Sequence, residues 1–378
     1  MAIIERVRAW FRARRRKMVM AGVMALILAV LAELGARVVL YSRGIDLKKY
    51  VLSPQANGMF VKGRYVSHPF LPFTLRSNSQ HRIVWTPPPM EEFGGDREDQ
   101  VWEINHNRWG FRGKDVTMPK PPHTLRVVCL GGSTTYDTIT DGKTWTEKLE
   151  ARLAEVHPDK TIEVLNFGMN SGSLPFQIVQ LALKGVHFEP DLVILYPGHN
   201  DLWSGIGDEG FLPDYSHRLG HWDDSRMPAQ LILPRWVMKS AFAGGLVVAV
   251  DRWRGIRYDL ILQIMRDAPR AEDPLEGVWA FQRGLVTIQG IAQVHGSKLM
   301  VITPFYAFRR FESRLALADR IRETATEANI PLLDAAALMP AGDTSLVHDD
   351  VHFTDKGGTL FCSLVFDAIQ EKGLLESR

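Results

Sequence analysis

Three residues have the side chains that acyl transfer requires: Ser133 and, far along the chain from it, the neighbours Asp349 and His352. A serine hydroxyl becomes a nucleophile when a histidine accepts its proton, and a carboxylate fixes the tautomer of that imidazole. Asp349 and His352 stand three residues apart in VHDDVHFTDKGG, a spacing that lets both side chains project from one turn. Asp350 and His348 are neighbours of this pair, and only the three-residue spacing favours Asp349. The structural alternative is a solvated turn rich in Asp and His.

Ser133 follows the apolar run LRVVCLGG, whose composition is typical of a buried parallel strand. Gly131 and Gly132 end this strand and let a substrate approach the backbone. Open α/β sheets place their chemistry at the carboxyl ends of such strands. The alternative is an ordinary turn in which the serine only caps local backbone, because Gly-Gly-Ser-Thr is common turn material.

The negative oxygen of a tetrahedral intermediate needs hydrogen-bond donors, and two candidates follow the next two predicted strands. Gly168 ends TIEVLNFG and can offer a backbone N–H, and Asn200 follows PDLVILYPGH and can offer a side-chain amide. Each also has a structural alternative, Gly168 as a turn glycine and Asn200 as a loop residue that caps the next segment. Because a parallel sheet collects its loops on one edge, we expect both residues near Ser133.

Strands and helices alternate from residue 124 to the end of the chain, which predicts a mostly parallel sheet covered by helices on both faces. The predicted helices are Trp145–Val156, Gln177–Lys184, Phe281–His295, Leu315–Ala328 and Thr354–Lys372. Residues 42–123 are rich in turn formers and aromatics, and we expect short strands and loops there, with INHNRWGFRG as the most ordered part. The aromatic segment 202–278 interrupts the alternation, and such an insert is usually a lid, a binding loop or a helical subdomain.

The amino terminus predicts a membrane anchor. Residues 1–17 contain seven basic residues and one acid, and residues 18–41 are apolar apart from Glu33 and Arg37, which can pair. About 20 such residues cross a bilayer, and the basic cluster is expected to stay cytoplasmic, so that the rest of the chain is extracytoplasmic. A cleavable signal peptide is the alternative. The apolar stretch 242–250 is too short to cross, and a crossing there would separate Ser133 from His352.

Composition excludes several other classes of protein. The 378 residues are 46% hydrophobic with a net charge of +2, and much of the positive charge lies in residues 1–17, so the rest is not a basic nucleic-acid binder. Cys129 and Cys362 are predicted to be small core residues rather than a disulfide. No HExxH, CxxC or P-loop lysine occurs, so the sequence predicts no metal or organic cofactor.

Four blocks in this order resemble the SGNH hydrolases, the GDSL-type lipases and esterases: Gly-Gly-Ser-Thr, Asn-Phe-Gly, Gly-His-Asn-Asp and Asp-Asp-Val-His. The basic residues 1–17, the anchor 18–41 and the segment INHNRWGFRG resemble the corresponding parts of the membrane-anchored bacterial members. The resemblance implies a flavodoxin-like three-layer α/β/α sandwich, with Ser133 as nucleophile, His352 as base and Asp349 orienting it. It also implies an oxyanion hole made by the N–H groups of Ser133 and Gly168 and the amide of Asn200. One departure is Gly132, which stands where the family's name motif has Asp.

The sequence therefore predicts a membrane-anchored serine esterase that cleaves an acyl ester, acetyl among the options, of an extracytoplasmic glycan or lipid. Its expected parts are residues 1–17, the anchor 18–41, the region 42–123 and the hydrolase-like domain 124–378 with the insert 202–278. An O-acyltransferase that acts on an exported polysaccharide would use the same residues. A binding or assembly component that retains only the fold is the third hypothesis.

Overall fold

The computed structural model separates into two compact units, Met1–Asn57 with Ser225–Leu262 and Gly58–Asp224 with Gln263–Arg378, which are described individually. It describes residues 2–43, 64–66, 68, 70–71, 73–85, 91–93, 100–203, 235–254, 275–308 and 312–376.

The described residues contain these strands: β1 Tyr65–Val66, β2 Thr74–Leu75, β3 Ser79–Trp85, β4 Gln100–His106, β5 Thr124–Gly131, β6 Thr161–Gly168, β7 Leu192–Tyr196, β8 Lys298–Ile302 and β9 Leu332–Leu333. Their α-helices are α1 Ala2–Ser42, α2 Ser133–Tyr136, α3 Trp145–Val156, α4 Leu174–Leu183, α5 His199–Trp203, α6 Ala241–Trp253, α7 Leu275–Val294, α8 Glu312–Glu327, α9 Ala335–Leu338 and α10 Asp355–Glu371. Short 3₁₀ helices cover Glu91–Phe93, Gly185–Phe188, Arg235–Lys239 and Thr344–Leu346.

The larger unit is built on a five-stranded parallel sheet with the strand order β6-β5-β7-β8-β9. At its centre, Gly131 of β5 is level with Gly168 of β6 and with Tyr196 of β7. The carboxyl ends of three adjacent strands therefore meet at one edge of the sheet, as their sequences predict, and the loops that follow them share this edge.

Both faces of the sheet are buried, because the side chains of a strand alternate between them. Val127 and Cys129 of β5 pack with α3 and α10 in one apolar cluster that also contains Cys362. Val128 and Leu130 pack with α4, α7 and α8 in a second cluster. The predicted α/β fold, with helices on both faces of a parallel sheet, is confirmed, and the two cysteines are buried free thiols in the first cluster.

The described part of residues 42–123 forms two short antiparallel pairs, β1 with β2 and β3 with β4. The hairpin β3–β4 runs in register from Ser79 opposite His106 to Trp85 opposite Gln100. Beyond β4, Arg112 forms a single bridge to Asn166 of β6. The segment INHNRWGFRG thus reaches the edge strand of the main sheet, next to the strand end that carries Gly168.

In the smaller unit, α1 runs without a break through the basic segment and the apolar segment. Its part Val19–Ser42 is 24 residues long with a mean hydropathy of 2.3, which is long and apolar enough to cross a membrane, although a signal sequence has the same properties. Helix α6 packs against α1 in this unit. Most of the predicted insert, residues 204–234 and 255–274, lies outside the described residues.

Candidate active site

The structure brings Ser133, His352 and Asp349 together at the carboxyl edge of the sheet. Ser133 is the first residue of α2, directly after the glycines that end β5. His352 Nε2 lies 2.8 Å from Ser133 Oγ, and His352 Nδ1 lies 2.7 Å from Asp349 Oδ2. Both distances are those of short hydrogen bonds, so a proton can pass from the hydroxyl to the imidazole without any rearrangement.

The loop before α10 holds the imidazole by its backbone. Val347 and Phe353 form a β-bridge, and the N–H of His348 donates to the carbonyl of His352 at 2.7 Å. The other oxygen of Asp349 accepts hydrogen bonds from the N–H groups of Val351 and His352, each at 2.9 Å. The carboxylate is therefore fixed by the same turn that carries the histidine.

The hydrogen bonds also distinguish Asp349 from its neighbour Asp350, because the two carboxylates have different partners. The carboxylate of Asp350 accepts from the N–H of Phe308 at 2.9 Å, and its carbonyl accepts from the N–H of Ala307 at 2.8 Å. Asp350 thus ties this loop to the segment after β8. The ring of His348 packs edge-on against Trp85, so His352 is the imidazole that contacts the serine.

The electrostatics of the group favour a basic histidine. Burial acts against the charged imidazolium, but the carboxylates of Asp349 and Asp137 outweigh it, and the pKa of His352 is raised above its usual value. Burial likewise opposes ionisation of Asp349, yet the adjacent imidazole and its hydrogen bonds hold the pKa of this carboxyl well below its usual range. Asp349 therefore remains charged and can stabilise the imidazolium that proton transfer creates.

Asn200 lies beside the serine, on α5 after β7. Its Nδ2 donates to the carbonyl of Gly172 at 3.0 Å. The same amide packs against the α-carbon of Gly132, where an added Cβ would overlap Nδ2. Any side chain at position 132 would displace Asn200, which gives a physical reason for glycine at the position where the family's name motif has Asp.

Gly168, the other predicted donor, is placed differently. Its N–H donates to Asn166 Oδ1 at 2.9 Å, and its α-carbon packs against the peptide between Thr135 and Tyr136, where a Cβ would overlap the backbone. The prediction that Gly168 supplies an oxyanion donor is not supported by this arrangement, because its N–H is already engaged at the strand end. A glycine that does contact the Asn200 amide is Gly172, which the sequence reasoning missed although it lies only four residues beyond Gly168.

A second missed residue is Arg112, whose side chain is 1% exposed. Its guanidinium donates to the carbonyls of Tyr136 and Asp137, each at 2.8 Å, to that of Ile139, and at 2.8 Å to the carboxylate of Asp141. These acceptors belong to the turn that follows Ser133 and α2. The only signal in the sequence was the position of Arg112 in the ordered segment INHNRWGFRG.

The Arg112 guanidinium holds a turn whose backbone is strained at Asp137. This residue has φ 71° and ψ 149°, a region that residues other than glycine rarely adopt. Its buried carboxylate accepts from the N–H groups of Thr138 at 2.9 Å and Trp145 at 3.0 Å. The strained turn is thus held from both sides, and it positions the start of α3 against α2.

Among the residues that the structure describes, no group of three His, Cys, Asp or Glu could hold a metal ion.

One protein family and several solved structures are similar to this chain. Residues 129–360, more than half of the chain, match the model of the GDSL-like lipase/acylhydrolase family. No curated protein sequence matches the chain significantly. Among solved structures, an α/β hydrolase from the metagenome of Lake Arreo, Spain, is 15% identical with a TM-score of 0.42, and the match covers 67% of this chain and 97% of that one. The acetyl xylan esterase AlAXEase is 14% identical with a TM-score of 0.41, over 65% of this chain and all of its own.

A third similar structure is Axe2, an acetylxylan esterase from Geobacillus stearothermophilus, at 12% identity and a TM-score of 0.40, covering 66% of this chain and 96% of its own. The matched family segment begins at β5 and ends in α10, so it includes the strand end with Ser133, the loop with Asn200 and the turn with His352. The chain belongs to the GDSL-like lipase/acylhydrolase family and is an ester hydrolase.

Proposed function

We propose that this protein is a serine esterase in which Ser133 is the nucleophile, His352 the general base and Asp349 the carboxylate that orients the imidazole. The observation that carries the proposal is the continuous pair of hydrogen bonds, 2.8 Å from Ser133 Oγ to His352 Nε2 and 2.7 Å from His352 Nδ1 to Asp349 Oδ2. A raised pKa of His352 and a lowered pKa of Asp349 suit these two roles.

In the proposed reaction, His352 accepts the Ser133 proton while Oγ attacks the ester carbonyl. The N–H of Ser133 and the amide of Asn200 stabilise the negative oxygen of the tetrahedral intermediate. The carbonyl of Gly172 holds the Asn200 amide in position. His352 then gives its proton to the leaving alcohol, and water activated by the same imidazole releases the acyl group.

We further propose that the enzyme is anchored in the cytoplasmic membrane by residues 18–41, with its amino terminus in the cytoplasm. The length and hydropathy of Val19–Ser42 support the anchor, and the basic residues before it support the orientation. The domain 124–378 would then meet its substrate outside the cytoplasm. An acyl ester of an exported glycan or of a lipid is the substrate class that this location favours.

The test is labelling of the full-length protein with a fluorophosphonate, followed by hydrolysis of p-nitrophenyl esters of increasing chain length. We expect labelling at Ser133 and its loss in Ser133→Ala. Ser363→Ala, which changes a serine on α10 whose hydroxyl bonds Thr359, is the matched control and should label normally. Unchanged hydrolysis by Ser133→Ala would contradict the proposal.

The same assay reports the acyl group and the acceptor. A preference for acetyl favours a glycan ester, and a preference for long chains favours a lipid. If a glycan acceptor lowers acyl release to water while the acyl-enzyme still turns over, the reaction is acyl transfer with the same residues.

A further inference from the structure

Glu33, in the apolar half of α1, is bonded to the start of α6. Its carboxylate accepts hydrogen bonds from Ser240 Oγ at 2.7 Å, from the N–H of Ala241 at 2.9 Å and from the N–H of Phe242 at 3.0 Å. Ser240 Oγ in turn accepts from the N–H of Ala243 at 3.0 Å. The first three amides of α6, which a helix usually leaves to water, therefore all have acceptors within the protein.

This arrangement suits a helix end that lies in lipid. Water satisfies free amides at an exposed helix start, but hydrocarbon cannot, and each unsatisfied group there is costly. The charge of Glu33 is balanced by Arg37, whose Nε and Nη2 donate to the carboxylate at 3.0 and 2.8 Å. A paired and fully bonded carboxylate is the form in which an acid is tolerated within an apolar helix.

The surface of α6 is apolar along its length up to Val250. No charged residue occurs in residues 241–250. Phe242, Leu246, Val250 and Trp253 form one exposed stripe at helical spacing, with exposed fractions of 51, 56, 41 and 87%. On the side facing α1, Gly245 lies against Leu40, where a Cβ would make ordinary contact at 3.8 Å.

The depth of α6 follows from the length of the anchor. The hydrocarbon core of a bilayer is about 30 Å thick, and a helix rises about 1.5 Å per residue. If the core begins after Lys17, it therefore ends near Arg37. Glu33 then lies about 6 Å inside the outer boundary of the core. Helix α6 begins beside Glu33 and passes Leu40, so it points outward along α1. It is 13 residues long, too short to cross. Lys239, just before it, has a stem long enough to reach the headgroups.

The aromatic residues at the outer ends of both helices fit this depth. Tyr41 near the end of α1 and Trp253 at the end of α6 are 88% and 87% exposed, and these residue types concentrate at membrane–water interfaces. The charged residues Asp251, Arg252 and Arg254 follow at the same end of α6. We infer that α6 is a second membrane-contacting helix: its first turn lies in the outer leaflet beside the anchor, where Glu33 caps it and Phe242 meets lipid acyl chains, and the rest of its apolar stripe leads outward through the headgroup region.

This inference rests on the proposed membrane anchor, and the experiment separates the two. Full-length protein with a spin label at Phe242→Cys is placed in phosphatidylcholine/phosphatidylglycerol nanodiscs, and its accessibility to oxygen and to a water-soluble nickel complex is measured. Leu28→Cys in α1 is the reference for the bilayer, and Val286→Cys on α7, an exposed apolar position of the larger unit, is the reference for water. The two native cysteines are buried and remain as they are.

We expect the Phe242 label to resemble the Leu28 label more than the Val286 label, with nickel accessibility several-fold below that of the Val286 label. Nickel accessibility equal to that of Val286 would overturn the inference. A label shielded from both reagents would also overturn it, because a partner protein or a second copy would then cover the stripe. An aqueous Leu28 label would overturn the anchor itself and, with it, this inference.

The cap provides a second test. Glu33→Ala removes the acceptor for Ser240, Ala241 and Phe242, so the Phe242 label should become several-fold more accessible to nickel while the Leu28 label stays unchanged. Glu33→Gln retains an acceptor oxygen and should keep the label in lipid. Equal nickel accessibility of the Phe242 label in the otherwise unchanged protein and in Glu33→Ala would show that Glu33 does not cap α6 within the membrane.

Discussion

The α-carbon of Gly132 packs against the side-chain amide of Asn200, so closely that a Cβ at position 132 would overlap Nδ2. The same amide donates to the carbonyl of Gly172. The residue before the nucleophile and the loop after β6 therefore hold Asn200 between them. This contact links the absence of a side chain at position 132 directly to the proposed oxyanion donor.

Gly132→Ala should lower esterase activity by about 10²-fold. The new methyl group displaces an oxyanion donor, and removal of one such donor from a serine hydrolase lowers kcat by about this factor. Thermal melting should show that the variant still folds. The measurement is kcat/KM for p-nitrophenyl acetate. Gly290→Ala is the matched control, since no atom lies within 4 Å of a Cβ there, and it should keep full activity. An active Gly132→Ala would show that Asn200 can move without consequence.

Asn200→Ala tests the donor itself. We expect kcat to fall by about 10² to 10³-fold with little change in KM, because the amide contacts the oxygen only once negative charge develops on it. Steady-state kinetics with an acetyl ester separate the two constants. A higher KM at unchanged kcat would instead assign Asn200 to substrate binding.

The pH profile should reflect the two carboxylates near His352. Only the neutral imidazole can accept the Ser133 proton, and the pKa of His352 is raised above 6.5, so activity should fall as the pH drops through a value higher than 6.5. Asp137→Asn removes one of the charges that raise this pKa, so the acidic limb should move to lower pH. The measurement is kcat/KM from pH 5 to pH 9.

Asp355→Asn, at a half-exposed carboxylate paired with Lys148, is the control for this profile and should leave the limb in place. If Asp137→Asn left the limb unchanged, the charge of Asp137 would have no part in the basicity of His352.

Arg112 should position the nucleophile through the turn after α2. Arg112→Met leaves several carbonyls and the carboxylate of Asp141 without a partner, and we expect a loss of about 3 to 5 kcal/mol in the free energy of unfolding. Arg112→Lys keeps the positive charge but loses the planar guanidinium group, whose several N–H donors bind different acceptors at once. It should therefore still fold and yet label more slowly with fluorophosphonate, measured well below its melting temperature.

Arg82→Met is the matched control, because the side chain of Arg82 is 70% exposed and pairs with Glu103, whose side chain is 61% exposed. Its stability should change by no more than about 0.5 kcal/mol. Normal labelling of Arg112→Lys would restrict Arg112 to a structural role.

The sequence was sufficient for the main elements of the larger unit. The apolar run before Ser133 became β5, and the helix predicted at Trp145–Val156 has those bounds in α3. Local periodicity contains this information, because a strand buried on both faces and an amphipathic helix each show their environment in their own residues. The ends of adjacent parallel strands must also meet at one edge, so the sequence alone already indicated which loops are neighbours.

Tertiary structure decided the contacts within those loops. The N–H of Phe308 holds the carboxylate of Asp350, which leaves Asp349 as the partner of His352, and Asn166 engages the N–H of Gly168. No periodic pattern encodes such contacts, because each joins one atom to another that is distant in the chain. The same holds for Arg112 beneath the turn after Ser133 and for Glu33 at the start of α6. Sequence thus determined which elements form and which edge they share, whereas long-range hydrogen bonds determined which side chain points where.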